Sequence, residues 1–130
     1  MNYTSINQSK HLLKLGLNPE TADMHWIESE YINEDTGEPL KQYALIAGQY
    51  YEQPLWIPCW SVRALFNLMP FATYRIDKVW TSNGIRYRIF CINLKGNLDT
   101  DYQTPDYDNL IEACYNMVVW LLKNNYIKND

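Results

Sequence analysis

The sequence predicts an α+β domain in which a small antiparallel sheet, built around a central hairpin over 73–94, packs against about three helices. Three observations carry that expectation. Two strand-like runs, TYRIDKVW and IRYRIFCINL, flank TSNG, whose Asn-Gly pair suits a two-residue hairpin turn. A broad apolar stripe runs through Leu110–Asn124 at helical spacing. The order of helices and strands shows no βαβ repeat and no glycine-rich phosphate loop. At 130 residues the chain reads as a single domain, 1–130.

Taken in order, the first helix is expected over about Ser5–Leu15. Ser5 and Gln8 have capping-box spacing, with Thr4 as an alternative cap, and Gly16 suits the left-handed position past the end. His11 falls on its exposed side. A short turn follows, capped by Asn18 with Pro19 at its first position and Glu20 at the positive end. Glu28–Gly37 reads as an acidic loop, and EDTGEP as a turn. KQYALIAGQYY is apolar on both faces and reads as a strand covered on both sides, with one buried helical turn as the alternative. LWIPCW is an extended lead-in, because Pro58 holds residue 57 out of the α region.

Ser61 then caps a short helix whose Val62, Leu65, Phe66 and Met69 fall at i, i+3, i+4 and i+7, and Pro70 stops it. Trp60 stands where a hydrophobic staple would meet Leu65. A turn at Asn83-Gly84 would pair Trp80 with Tyr87, Lys78 with Ile89 and Ile76 with Cys91 on one apolar face. The opposite face would carry Arg75, Arg86 and Arg88 with Phe90. A polar connection leads to the last helix, with Thr104, Asp106 or Asp108 as its cap. Leu110, Cys114, Met117, Val118 and Leu121 form the stripe of that helix, and its width places it at the centre of the molecule.

Composition bounds the function classes. The chain is 47% hydrophobic and 15% aromatic, with 11 Tyr and 5 Trp, which excludes disorder for its bulk. A formal charge of −4 gives no general attraction to a phosphate backbone. Cys59, Cys91 and Cys114 are odd in number and flanked by apolar residues, so they read as free buried thiols in a reducing compartment. The start lacks the apolar run of a signal peptide, and no stretch has the length of a membrane span. A cytoplasmic protein without cofactor or metal is expected, with no membrane contact.

Three stretches carry a resemblance: SKHLLKLGLNPETADM, WIPCWSVRALFNLMP and IEACYNMVVWLLKNNYI. They resemble a group of uncharacterised small proteins common in Bacteroidales phages and prophages. The shared pattern falls on Thr21–Met24, then on Pro58, Trp60, Ser61, Ala64, Leu65, Leu68 and Pro70. In the last stretch it falls on Ala113, Tyr115, Met117, Trp120, Leu121, Leu122, Tyr126 and Ile127. The chain departs from it with Cys59 in place of a small residue and Asn125 in place of glycine. The resemblance implies a phage or mobile-element setting and assigns no activity or residue role.

For chemistry the candidates are few. His25 has Asp23, Glu28 and Glu30 within five residues, a grouping that would suit a divalent metal or a base in a hydrolase, though at no established ligand spacing. Cys59 would need a base, and the more economical reading is a small filler between Trp56 and Trp60. Asp99, Asp101, Asp106 and Asp108 sit in the most loop-like connection, where capping and solvation explain them. The hairpin arginines Arg75, Arg86 and Arg88, with Phe90, would suit nucleic acid or an acidic protein partner. Tyr50, Tyr51 and Trp56 would line a groove or close the fold. The expectation is a non-enzymatic accessory protein acting through protein contacts or self-association, with nucleic-acid binding as the alternative.

Overall fold

A computed structural model describes residues 2–69, 74–91 and 102–127. Three helices pack against two three-stranded antiparallel sheets, where one sheet was expected. Helix α1 (Ile6–Lys14) precedes β1 (Met24–Ile32), β2 (Pro39–Ala47) and β3 (Trp56–Cys59), which form the first sheet in the order β2-β1-β3. Helix α2 (Val62–Leu68) leads to the second sheet, β4 (Tyr74–Thr81), β5 (Gly84–Cys91) and β6 (Tyr102–Gln103), in the order β4-β5-β6. Helix α3 (Leu110–Lys123) follows.

The last helix is the centre of the molecule. Cys114, Met117, Val118 and Leu121 are all 0% exposed, and Ile111, Ala113 and Leu122 are buried beside them. It packs on α2 on one side and β5 on the other. Its cap is Asn109, which accepts from the Glu112 amide at 3.1 Å, rather than Thr104, Asp106 or Asp108. Thr104 is taken by β5 instead: its hydroxyl accepts from Ile89 N at 2.9 Å, and its amide donates to the Ile89 carbonyl. At the far end Asn125 stands at φ +61, its amide bonded to the Leu122 carbonyl and that of Tyr126 to the Leu121 carbonyl. That is the Schellman pattern, with asparagine in the left-handed position where glycine is commonest. Helix α1 ends in the same way at Gly16 (φ +94) and Leu17, as its sequence predicts.

The capping box of α1 also forms as predicted, between Ser5 and Gln8. This frees Thr4 for another role. Thr4 is fully buried, and its Oγ1 accepts from Trp60 N at 3.0 Å and lies 2.8 Å from Ser9 Oγ. Its amide donates to the Trp60 carbonyl, and its carbonyl accepts from Cys59 Sγ and Trp26 Nε1. One residue thus ties the start of α1 to β1, β3 and the approach to α2. His11, expected on the exposed side of α1, turns toward α3 and is half-buried, with its Nδ1 hydrogen-bonded to Tyr115 Oη. Gln8 reaches α3 as well, donating to Glu112 at 2.9 Å.

Between Trp60 and α2 the expected cap holds. Ser61 accepts from the Ala64 amide, and Asp23 accepts from both Ser61 N (2.9 Å) and Ser61 Oγ (2.5 Å). Trp60 and Leu65 are both 0% exposed, and the indole donates to Thr21 Oγ1 at 2.9 Å. The helix ends with Met69 as its cap; Pro70, the expected stop, lies outside the described residues, as do Ile92, Asn93, Asp99 and Asp101.

Two expectations are corrected in the first sheet. Glu28–Ile32 belong to β1 rather than to a loop, pairing with β2 from Glu28↔Tyr43 to Ile32↔Pro39. The turn is confined to the residues between Asn33 and Glu38, where Gly37 takes φ +71. Strand β2 is not covered on both faces: Ala44 and Ile46, opposite Ile27 and His25 at the base of the hairpin, are exposed on the sheet face that carries His25.

The central hairpin forms, but two residues out of the expected register. Thr81 pairs with Gly84, Trp80 with Ile85, Lys78 with Tyr87 and Ile76 with Ile89. Gly84 takes φ +106 and follows the turn, rather than forming its second centre. Thr81 Oγ1 accepts from the Asn83 amide and donates to the Gly84 carbonyl, which closes a Ser82–Asn83 turn. A shift of two preserves the faces. Trp80, Ile76, Tyr87 and Ile89 therefore share one face as expected, and the three arginines share the other.

Candidate interaction surfaces

The arginine face is built from β4 and β5, and each guanidinium meets a carboxylate. Asp77 accepts from Arg75 at 2.9 Å and from Arg88 at 3.4 Å. Arg86 reaches Asp108 at 2.6 Å and the Asp106 carbonyl at 2.9 Å, while Arg88 lies 3.8 Å from the Asp106 carboxylate. The Arg75 hydrogen bond holds the Asp77 carboxyl below its usual range. Arg75 also lies over the Phe90 ring, 5.0 Å from its centroid. Three arginines and three aspartates leave this face with no excess positive charge. The aspartates Asp106 and Asp108, read from sequence as caps or solvated residues, reach the sheet because the chain after Tyr102 runs along β5. Phe90 pairs with Gln103, and Tyr87 with Tyr107, across it.

The His25 grouping does not assemble. His25 is buried, donates from Nδ1 to the Gly48 carbonyl at 3.1 Å, and stacks on Trp56 at 3.8 Å with the rings 7° from parallel. Strand alternation sends Glu28 and Glu30 to the opposite face. Glu28 there accepts from Tyr43 Oη and meets Lys41 at 3.5 Å, and Asp23 is held by Ser61. Cys59 lies on the face opposite His25, and burial pushes its thiol up to about 11. Among the described residues no group of three His, Cys, Asp or Glu side chains is placed to hold a metal.

Of the aromatic trio, Tyr50 belongs to the core rather than to a surface, because its ring joins the buried cluster. Trp56 is half-buried against His25, and only Tyr51 is exposed. A shallow groove of about 470 Å³ lies between α2 and the start of α3. It is lined by Val62, Phe66 and Leu110 with Ser61, Arg63 and Asn67. Arg63 is the one ionisable side chain among those residues.

What sequence reasoning missed are the large apolar side chains left in water on the two hairpin arms. Trp80 is 77% exposed and Ile76 41%, on the same face of β4 as the exposed Lys78. On the other arm Tyr31 is 50% and Ile32 67% exposed. Alternation assigned Trp80 to the core face correctly. Helix α3 packs on β5, while Ile76 and Trp80 stand on the edge strand β4, and alternation does not distinguish an edge strand from its neighbour.

No family model, curated protein or solved structure matches the chain. No helix among the described residues is long and apolar enough to cross a membrane.

Proposed function

We propose that this chain is a non-enzymatic accessory protein of a phage or mobile element, working in the host cytoplasm through protein–protein contacts. The observation that carries this reading is Trp80. An indole 77% in water gains nothing for folding, and Tyr and Trp are the side chains that dominate interface centres. Ile76 stands exposed on the same face of β4, and Tyr31 and Ile32 are exposed on the other arm. The neutralised arginine face weighs against a phosphate contact, and the engagement of His25, Asp23 and Glu28 elsewhere weighs against metal-assisted hydrolysis.

The test is site-specific photocrosslinking in expressing cells, with a benzophenone side chain at position 80 or 31. Exposed Gln49 serves as the control position. Covalent adducts of protein mass at 80 or 31, absent at 49, are expected. Equal background at all three positions would overturn the reading.

A further inference from the structure

The net charge of the chain is concentrated in one place. Residues 28–41 hold Glu28, Glu30, Glu34, Asp35 and Glu38 against Lys41 alone, which accounts for the whole formal charge of −4. Lys41 pairs with Glu28, and the other four carboxylates form no ion pair among the described residues; Tyr31 and Ile32 stand exposed in the same segment. The opposite character appears on β4, where Lys78 has no carboxylate partner among the described residues and lies between exposed Ile76 and Trp80.

Both segments also present unpaired backbone. Strand β4 is the edge of its sheet. Strand β1 is flanked on both sides as far as Glu28, whose amide donates to the Leu55 carbonyl just before β3; among the described residues Ser29–Ile32 have β2 on one side and no strand on the other. Such edges are templates for strand addition.

We infer that β4 of one copy of this chain adds antiparallel to the Ser29–Ile32 edge of β1 of a second copy. Setting Lys78 opposite Glu30 places Ile76 opposite Ile32 on the same face and brings Trp80 to the end of the open edge, beside the exposed Leu55 whose carbonyl accepts from Glu28 N. An opposite-charge pair and an aliphatic pair then stand side by side, each of the kind that stabilises neighbouring strands. The contact is heterologous, so it closes where two such pairings form around a twofold axis and otherwise continues into a chain of copies. This assignment rests on the protein-contact reading and names the partner as the protein itself.

Light scattering across a concentration series in low salt tests it, with Glu30→Lys, Lys78→Glu and the double variant. All substituted positions are exposed, and circular dichroism verifies that each variant is folded. A mass that rises above the monomer with concentration is expected. Either single reversal should weaken the association roughly tenfold or more, and the double reversal should restore it. Added salt should lessen the difference, because exposed charges are screened. A monomer at every concentration, or single reversals without effect, would overturn the pairing. Crosslinks from position 80 to a different protein, with this chain monomeric, would sink the pairing and leave the protein-contact reading standing. A monomer without adducts would sink both.

Discussion

Replacing Thr4 by valine keeps the shape of a buried side chain and deletes its hydroxyl. In the native structure that oxygen is the acceptor for Trp60 N–H at 3.0 Å and lies 2.8 Å from Ser9 Oγ, with all three residues fully buried. The Ser9 hydroxyl has a second choice, because a helical serine can turn back to the carbonyl four residues earlier, here Ser5. The Trp60 amide has none. An orphaned buried donor costs about 1–3 kcal/mol, offset by less than 1 kcal/mol from the added methyl. The expected loss is about 2 kcal/mol, a large share of a typical domain's stability. Urea unfolding followed by tryptophan fluorescence should show a lowered midpoint with an unchanged slope. Ser9→Ala should cost less in the Thr4→Val background than in the wild type, with a coupling of about 0.5–1 kcal/mol. A Thr4→Val variant within about 0.5 kcal/mol of wild type, or a strictly additive cycle, would refute the assignment of Thr4 as the tie between α1, β3 and α2.

Two further outcomes follow from the caps and the thiols. Asn125 holds a left-handed conformation that glycine adopts without steric cost, so Asn125→Gly should raise stability by up to about 1 kcal/mol in thermal unfolding; a loss would contradict the Schellman geometry. Burial pushes the Cys59 thiol up to about 11 and that of Cys114 up to about 12, from an ordinary value of 9.0. The unfolded thiols ionise first, so this contribution to stability is complete below 9.0 and is lost as pH rises from there through about 12. A disulfide reagent at pH 8 should leave both unreacted in the folded protein and label them promptly in denaturant. Rapid native labelling would show that the core opens around α3.

Local patterns in the sequence placed every helix, although the cap of α3 proved to be Asn109. Ser5 with Gln8, Gly16, Asn18 with Pro19, and Ser61 each act on neighbours within a few residues, so their geometry follows from spacing. The width of the α3 stripe also placed that helix at the centre, since only a helix packed on two sides needs apolar residues at Cys114, Met117, Val118 and Leu121 together. What sequence could not supply was choice between partners far apart in the chain. Thr4 looked like a second cap because nothing local shows Trp60 arriving beside it. Arg86 and Arg88 looked like free cations because Asp106 and Asp108 stand some twenty residues away and reach them only through the run along β5. The hairpin register failed for a subtler reason. Asn-Gly suits a turn centred on its own two residues, while Thr81, bonded across Ser82–Asn83 to a glycine just past the turn, supports the one that forms. Of the candidate surface read from the sequence, Arg75 and Tyr51 stand exposed and Tyr50 joins the core, while the exposed Trp80 and Ile76 went unread because alternation put them on the core side of the hairpin.

The bond from His11 to Tyr115 and that from Gln8 to Glu112 each span 104 residues. During translation at about 5–20 residues per second, the opening helix therefore waits roughly 5–20 s for the side chains that will receive it. In that interval its leucines have no docking site on α3, and the nascent chain must remain soluble by other means. Closure of the core around α1 therefore waits until residues 110–123 have been made.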